Sequence, residues 1–191
     1  MHQNEVWQVY AKNGEPIPGK GWSSAMNNPE VTGDKSIVGV AVIALYRFDE
    51  NHELEFLWQK RSDKVDRFPG MWDFSAGGHV NLGESLVEAA IRETEEEIGA
   101  KITPEDLQFV TMRPFNCNRF AWVYCVDWTG RPGEPSDFKF DDDEVSEVKW
   151  VKYSEMEEFR LKYAKDPLKN DKITFPNIAE WLKLHGYIKA E

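Results

Sequence analysis

Residues 77–100 constrain the fold of this chain more than any other stretch, and their sequence is GGHVNLGESLVEAAIRETEEEIGA. Ser85 and Glu88 have the spacing of a capping box, in which two side chains satisfy free backbone amides at the start of a helix. Gly99 supplies the left-handed residue on which many helices end. The segment therefore predicts a helix over residues 85–98.

The predicted helix has an apolar side and an acidic side. At about 100° per residue, one stripe contains the residues that a core would bury: Val87, Ala90, Ile91, Thr94 and Ile98. Glu93, Glu96 and Glu97 fall together on another face, about 120° from the centre of that stripe. Neighbouring carboxylates repel one another, so this face predicts either a solvated acidic surface or a site for a hard cation such as Mg²⁺ or Mn²⁺.

The spacing of the residues around this helix decides between the two interpretations. The stretch resembles the Nudix box, G-x5-E-x7-R-E-U-x-E-E-x-G-U, in which U is a bulky aliphatic residue. Every fixed position of the box is matched, by Gly78, Glu84, Arg92, Glu93, Glu96, Glu97 and Gly99. Thr94 and Ala100 depart from the box at the two U positions, which are packing positions. The resemblance favours a metal site over a solvated surface.

The neighbourhood of the box is similar to a branch of the Nudix family that is related to isopentenyl-diphosphate isomerase. The similarity lies in residues 7–20, 57–62, 68–80 and 83–85. That isomerase has a catalytic cysteine where Gly77 stands here, and its acidic core is interrupted, whereas the core is intact in this chain. The resemblance therefore implies a hydrolase. An isomerase-like enzyme and a catalytically silent ligand sensor are the alternative hypotheses.

The resemblance implies an Mg²⁺- or Mn²⁺-dependent pyrophosphohydrolase that cleaves a diphosphate linkage in a nucleoside diphosphate derivative or a similar small diphosphate. The implied metal ligands are acidic side chains and one backbone carbonyl, namely Glu93, Glu96, Glu97 and Gly78. Glu84 is an auxiliary acid, which either supports these ligands or binds an additional ion. Arg92 would hold the carboxylates of the box in place rather than bind the metal.

Two roles have more than one candidate. The general base is Glu97 itself or an acid ahead of the last strand, either Glu144 or Glu147. Arg61 and Lys60 leave the second predicted strand towards the box and are candidates for contacts with a phosphate. His79, beside the glycine pair of the box, is interpreted as a structural residue.

Composition excludes several other classes of protein. The net charge of −11 argues against a nucleic-acid polymer as partner, because phosphate-binding surfaces are usually basic. No apolar run reaches the roughly 18 residues of a membrane span, and the N-terminus has no signal-peptide pattern. Cys117 and Cys125 are too few for a disulfide framework. We therefore expect a cytoplasmic protein that acts on a small-molecule diphosphate. The resemblance is also compatible with a homodimer.

The order of the predicted elements indicates an α+β fold, an α/β/α sandwich in which a mixed β-sheet lies between helices. The resemblance implies the same fold. We expect one domain over residues 1–191, with an N-terminal extension (1–35), a core (36–160) and a C-terminal helical segment (161–191).

The individual elements follow from periodicity and from turn residues. Strands are predicted at residues 5–11, 36–48, 54–61, 107–114, 119–128 and 147–153. Helices are predicted at residues 85–98, 154–163 and 176–185, and connections at residues 20–35 and 130–143. One of three tryptophans is a candidate for stacking on a nucleobase: Trp22, Trp58 or Trp122.

Overall fold

The computed structural model describes residues 5–23, 37–116, 119–140, 143–163 and 171–188. Within these ranges the chain forms one sheet of nine strands. The strands are β1 (Val6–Tyr10), β2 (Pro16–Ser23), β3 (Ile37–Phe48), β4 (Leu54–Arg61), β5 (Trp72–Asp73), β6 (Ala76–His79), β7 (Gln108–Asn116), β8 (Arg119–Asp127) and β9 (Val145–Lys152). The helices are α1 (Leu86–Ile98), α2 (Met156–Tyr163) and α3 (Asp171–Leu184). None of these helices has the length and apolar character needed to cross a membrane.

Strand β3 lies at the centre of the sheet. It runs parallel to β8 from Val38 to Tyr46. On its other edge it pairs antiparallel with β6 over residues 40–43 and with β4 over residues 46–48. Its continuous apolar sequence suits a strand that is covered on both faces, and nearly all of it is buried. The central strand expected at residues 36–48 is therefore confirmed.

Two apolar layers cover the two faces of the sheet. On one face, α1 contributes residues such as Ala90 to a core that also contains Leu57 of β4. On the other face, α2 and α3 pack through Phe159 and Phe175 against Trp58. Successive side chains of a strand point to opposite faces, and this alternation sends Leu57 and Trp58 to different layers. The predicted sandwich with a mixed sheet between helices is confirmed.

The N-terminal segment forms a hairpin of which the sequence predicts only the first strand. β1 confirms the strand expected at residues 5–11, but residues 16–23 form β2 where we expected a turn and a connection. Pro16 and Pro18 are compatible with this strand because β2 is an edge strand, paired with β1 alone among the described residues. The rest of the expected connection, residues 24–35, lies outside the described residues.

Two other regions differ from the prediction. β5 and β6 are too short to show a periodic pattern. Helix α3 begins at Asp171 rather than at Pro176, which lies inside the helix. The additional residues include Phe175, which is buried against the rings of Phe56 and Trp58. This packing offsets the backbone hydrogen bond that a proline inside a helix removes.

Several side chains that the sequence suggested for contacts with a ligand are buried. Trp22, Trp58 and Trp122 are each less than a tenth exposed, so none of them presents an open ring face to a nucleobase. Cys125 is a buried free thiol, and burial raises its pKa to about 12. Such a thiol is chemically inert near neutral pH. Cys117 lies outside the described residues.

Candidate functional site

Helix α1 begins and ends as the sequence predicts. The hydroxyl of Ser85 accepts a hydrogen bond from the Glu88 amide at 3.2 Å, and the Glu88 carboxylate accepts one from the Ser85 amide at 2.8 Å. Gly99 has a φ of 66°, and its amide donates to the carbonyl of Glu95. Because both ends are fixed, the carboxylates of the last two turns occupy defined positions.

The buried side of α1 matches the predicted stripe only in part, at Ala90, Thr94 and Ile98. Its buried residues are Ala89, Ala90, Thr94, Glu97 and Ile98. Val87 and Ile91 were expected to be buried and are only partly covered. Glu97 was expected on a separate acidic face, yet it is only 4% exposed. The prediction was wrong at this residue because strands β4 and β6 also cover the helix and supply hydrogen bonds to the carboxylate.

Arg92 uses its whole set of N–H donors inside the site. Its Nε and Nη2 atoms donate to the two oxygens of Glu84, at 2.8 and 3.0 Å. Its Nη1 donates to Glu93 Oε1 at 2.8 Å and to Glu96 Oε2 at 2.9 Å, and Nη2 also donates to the carbonyl of His79 at 3.0 Å. A guanidinium presents these donors in a rigid fork, so Arg92 fixes the carboxylates relative to one another.

Glu97 is held from two strands through a single oxygen. The backbone amide of Gly77 in β6 donates to Glu97 Oε2 at 2.8 Å. The Nε2 atom of Gln59 in β4 donates to the same oxygen at 3.1 Å. The carboxylate therefore has a defined orientation although it lies among buried residues.

Two carboxylates of the site resist ionisation. Burial raises the pKa of Glu97 well above its usual range, and the nearby charges of Glu93 and Glu144 raise it further. Burial also raises the pKa of Glu93 to about 7, with Arg92 acting in the opposite direction. Buried carboxylates close to one another lower stability unless a cation neutralises them. The arrangement consequently favours a positively charged ligand.

The glycine pair of the box is required by close contacts. A Cβ atom at Gly78 would overlap the carboxylate of Glu93. A Cβ atom at Gly77 would approach the carbonyl oxygen of Ala41 to 2.5 Å. Only glycine lets β6 lie this close to α1 and β3. The role of the Gly78 carbonyl as a metal ligand stays a prediction.

The three acids on the helix each have one oxygen that the protein holds and one that it does not. Hydrogen bonds reach Oε1 of Glu93, Oε2 of Glu96 and Oε2 of Glu97. The second oxygen of each receives no donor from the part of the chain that the structure describes. Glu84 differs, because both of its oxygens accept hydrogen bonds from Arg92 and Oε2 also accepts one from the Asn81 amide.

This donor set suits Mg²⁺ or Mn²⁺, since both ions prefer oxygen ligands. Three carboxylate oxygens without a protein donor lie on one helix, next to a region where negative charge is costly. Within the described ranges, no three His, Cys, Asp or Glu side chains already stand in the geometry of a metal site. The carboxylate side chains must therefore move to bind a cation. Their oxygen atoms are the ligand type that Mg²⁺ and Mn²⁺ prefer.

Arg61 and Lys60, the two candidates for phosphate contacts, lie on opposite faces of the sheet at the end of β4. Gln59 contacts Glu97, so alternation places Arg61 on the same face of the sheet. Lys60 lies on the opposite face, where its Nζ atom is 3.6 Å from the Glu147 carboxylate. The structure brings Arg61 towards the carboxylates and leaves Lys60 and Glu147 on the other side of the sheet.

Glu144 lies beside the end of β4. Its carbonyl accepts a hydrogen bond from the Ser62 amide at 2.7 Å, and its charge contributes to the raised pKa of Glu97. Arg61, next to Ser62, donates through Nε to the carbonyl of Arg67 at 3.0 Å. Of the two acids proposed ahead of the last strand, Glu144 is therefore the one close to the buried carboxylates.

The sequence interpretation missed three residues that support the site: Gln59, Trp7 and Arg119. The ring of Trp7 stacks on His79 with centroids 3.6 Å apart and planes inclined by 8°. Arg119 Nε donates to His79 Nε2 at 3.1 Å. Both contacts agree with a structural role for His79. All three contacts join residues that are distant in sequence, so no local pattern singled these residues out.

A shallow groove of about 680 Å³ runs beside the cluster. It is lined by Leu82, Gly83, Glu84, Glu88, Ile91, Arg92, Glu95 and Glu96. Glu93 and Glu97 are not part of this lining. The groove therefore follows the outer face of α1 rather than the buried carboxylates.

Comparison with known proteins agrees with this geometry. The profile of the NUDIX domain matches residues 37–172. "Uncharacterized Nudix hydrolase YfcD" from Escherichia coli (strain K12) is 34% identical over 139 residues, which cover 71% of this chain and 69% of that protein. "Nudix hydrolase 3" from Arabidopsis thaliana is 34% identical over 117 residues, which cover 56% of this chain but only 15% of the plant protein.

Two further similarities concern the branch and the fold. The isopentenyl-diphosphate Delta-isomerase of Cutibacterium acnes is 30% identical over 97 residues, which cover 47% of this chain and 49% of the isomerase. The crystal structure of DR0079 from Deinococcus radiodurans superimposes with a TM-score of 0.62 at 20% identity, covering 94% of this chain and 98% of that one. By its box, its fold and the match over residues 37–172, the chain belongs to the Nudix family.

Proposed function

We propose that this chain is a divalent-metal-dependent pyrophosphohydrolase that cleaves a diphosphate linkage in a nucleoside diphosphate derivative or a similar small molecule. Glu93, Glu96 and Glu97 carry this proposal, because each is anchored through one oxygen and its other oxygen has no donor among the described residues. A carboxylate anchored in this way can ligate a cation without losing the hydrogen bonds that orient it.

The residues of the site divide into ligands and positioning residues. Glu93, Glu96 and Glu97 would hold Mg²⁺ or Mn²⁺, with the Gly78 carbonyl as a further ligand. When bound, the ion would neutralise the diphosphate and lower the pKa of a coordinated water. Arg92 is a positioning residue, since its donors are all engaged with the protein.

Of the two roles open for Glu84, its contacts favour that of a positioning residue over that of a ligand for an additional ion. Both of its oxygens already accept hydrogen bonds, from the Arg92 guanidinium and from the Asn81 amide. It would have to give up one of these bonds to bind an ion. Its observed contacts instead fix the guanidinium that orients Glu93 and Glu96.

Glu97 and Glu144 are the candidates for the general base. A base works best when its pKa lies near the operating pH, and burial raises the pKa of Glu97. Glu144 acts on Glu97 electrostatically and lies at the end of β4, close to Arg61. Arg61 is the candidate for a phosphate contact, because Lys60 is on the other face of the sheet.

Gly77, which stands where the isomerase has its cysteine, gives no support to the isomerase alternative. The amide of Gly77 binds Glu97, and a Cβ atom at this position would come within 2.5 Å of the Ala41 carbonyl and 2.8 Å of the Phe74 ring. A cysteine here requires a shift of β6. The sensor alternative does not explain why two carboxylates are buried next to each other, an arrangement that lowers stability.

A panel of diphosphates tests the proposal. The wild type and Glu97→Gln are incubated with Mg²⁺ and nucleoside triphosphates, oxidised nucleotides, nucleotide sugars, dinucleoside polyphosphates or isopentenyl diphosphate. Products are identified by mass spectrometry. We expect cleavage of at least one diphosphate linkage by the wild type and a loss of about 10²–10⁴-fold in Glu97→Gln, the range of a general base.

Two results would contradict the proposal. Conversion of isopentenyl diphosphate to an isomer without cleavage would support the isomerase. A ligand that raises the melting temperature of a wild type that cleaves no member of the panel would support the sensor. Glu147→Gln is the matched control, because this acid lies on the opposite face of the sheet and should leave cleavage unchanged.

A further inference from the structure

Gln59 stands out among the buried polar residues because it contacts the candidate site from a strand that does not belong to the box. It is 2% exposed. It follows Leu57 and Trp58, which belong to the cores on the two faces of the sheet, and it precedes the charged Lys60 and Arg61. Its Nε2 atom donates to Glu97 Oε2 at 3.1 Å. A polar side chain in this position needs an explanation beyond packing.

One half of the Gln59 amide has no partner within the part of the chain that the structure describes. Its Oε1 atom is buried and accepts no hydrogen bond from the described residues. A buried polar atom without a partner lowers stability. A methionine would fill a similar volume without this cost. Packing alone therefore does not favour glutamine at this position, and its Nε2–Glu97 hydrogen bond is the contact that only the amide supplies.

Gln59 and Gly77 act on the same oxygen of Glu97. The Gly77 amide donates to Oε2 at 2.8 Å, and Gln59 Nε2 donates to it at 3.1 Å. Two donors from different strands on one oxygen fix the rotation of the carboxylate about its terminal bond. Oε1 of Glu97 is then the oxygen left for a ligand. In the same way, Glu93 is held through Oε1 and keeps Oε2, and Glu96 is held through Oε2 and keeps Oε1.

We propose that Gln59 is a positioning residue that, together with the Gly77 amide, determines which oxygen of Glu97 is presented to the cation. This inference rests on the metal site proposed above. Gln59 itself does not touch the ion or the substrate. Its effect passes through Glu97, so it should appear in cation affinity and in the rate of cleavage rather than in the stability of the fold.

Gln59→Met tests the inference, because it keeps the volume of the side chain and removes its N–H donor. Mn²⁺ binding is measured without substrate, by the electron paramagnetic resonance signal of the free ion, and the melting temperature is measured without metal. We expect Mn²⁺ affinity to fall by about 10- to 100-fold, as for other residues that orient metal ligands. The melting temperature should stay the same or rise, since the unpartnered Oε1 is removed.

Two further variants make the test specific. Gln108→Met is the matched control, since Gln108 lies on β7 and its Oε1 atom is 3.5 Å from Cys125 Sγ, away from the carboxylates. It should leave Mn²⁺ affinity unchanged. In a Glu97→Gln background, Gln59→Met should cause no further loss of affinity, because the two residues act through one interaction.

The outcomes separate this inference from the proposed function. If Gln59→Met binds Mn²⁺ like a wild type that cleaves a diphosphate, the inference is overturned and the hydrolase stands. If its loss of affinity persists in the Glu97→Gln background, Gln59 does not act through Glu97 and the inference is also overturned. If affinity falls only when Glu97 is present, yet the wild type cleaves nothing, the inference stands and the hydrolase does not.

Discussion

The two faces of the sheet bury different kinds of groups, although alternate residues of the same strands line both. On the face covered by α2 and α3, Trp58 is fully buried against the rings of Phe159 and Phe175. On the face covered by α1, the next residue of β4, Gln59, is buried against the carboxylate of Glu97. One step along the chain leads from an aromatic cluster on one face to a buried carboxylate on the other.

This difference separates stability from cation binding. Aromatic burial of the kind seen at Trp58 is a large favourable contribution to folding. Buried carboxylates with raised pKa values, such as Glu93 and Glu97, lower the stability of a metal-free protein. We infer that the α2 and α3 face stabilises the fold and that the α1 face gives up part of that stability to attract a cation.

Phe175→Ala should produce the largest effect on stability and sharpen the comparison. Phe175 is 1% exposed and packs against Phe56 and Trp58, so we expect a loss of about 3–5 kcal/mol in the free energy of unfolding. Urea titration measures it, with the half-exposed Phe109→Ala as control. The Mn²⁺ affinity of the folded protein should not change. A parallel loss of Mn²⁺ affinity would break the separation of the two faces.

Arg92→Lys should produce the opposite pattern to Phe175→Ala, with the larger effect on Mn²⁺ affinity and the smaller one on stability. An ammonium is a single point charge that cannot bridge Glu84, Glu93 and Glu96 at once, so we expect Mn²⁺ affinity, measured by titration calorimetry, to fall by about 10- to 100-fold. Arg131→Lys is the control, since Arg131 binds Asp106 away from the site. Equal affinities in the two variants would show that the guanidinium does not organise the carboxylates.

The metal-free protein should lose stability as pH rises from about 5 to 7.5. Because the pKa of Glu93 is raised from 4.5 to about 7, the folded state holds a proton in this range that the unfolded state has lost. Stability is therefore greatest below the unfolded pKa and falls as pH rises through the folded one, by about 1–3 kcal/mol.

Melting temperatures across this pH range provide the measurement, and Glu93→Gln should make the profile less steep, with Glu97 accounting for what remains. Excess Mg²⁺ should restore stability at pH 7.5, because a ligand of the folded state stabilises it. A metal-free protein that becomes more stable between pH 5 and 7.5, with the same profile in Glu93→Gln, would contradict the role given to this carboxylate.

Lys60→Ala should have the smallest effect. Lys60 is on the α2 and α3 face, in a partly exposed ion pair with Glu147, so we expect a change within about 0.5 kcal/mol in the free energy of unfolding. We expect no change in kcat/KM for the substrate that the panel identifies. Arg61→Ala, one residue further along β4, should raise KM. Equal effects of the two substitutions would mean that alternation along β4 does not decide access to the site.

The parts of the molecule that the sequence predicts are those fixed by local interactions. The capping box of Ser85 and Glu88 and the stop at Gly99 involve residues within one or two turns, and the structure confirms them. The apolar run of β3 likewise carries its own pattern. β2 was missed because Pro16 and Pro18 favour a turn locally, and only its position at the edge of the sheet makes a strand possible.

The surroundings of Glu97 depend on contacts between residues that are distant in sequence. A helical wheel places this residue by its angle alone, whereas its burial comes from Gly77 and Gln59 on two strands. The sequence could have placed Lys60 and Arg61 on different faces of the sheet, because alternation from Leu57 already assigns a face to each residue of β4. The register that pairs Lys60 with Glu147 could only come from the three-dimensional structure.

Strand β1 lies ahead of the family match, which begins at residue 37, yet it holds the loop that leads into α1. The Gln8 amide donates to the Val80 carbonyl, the Leu82 amide donates to the Val6 carbonyl, and Trp7 stacks on His79. A fragment cut at the limits of the match would keep the whole box and lose these contacts. The boundary that homology draws and the boundary that a working protein fragment needs are therefore different in this chain.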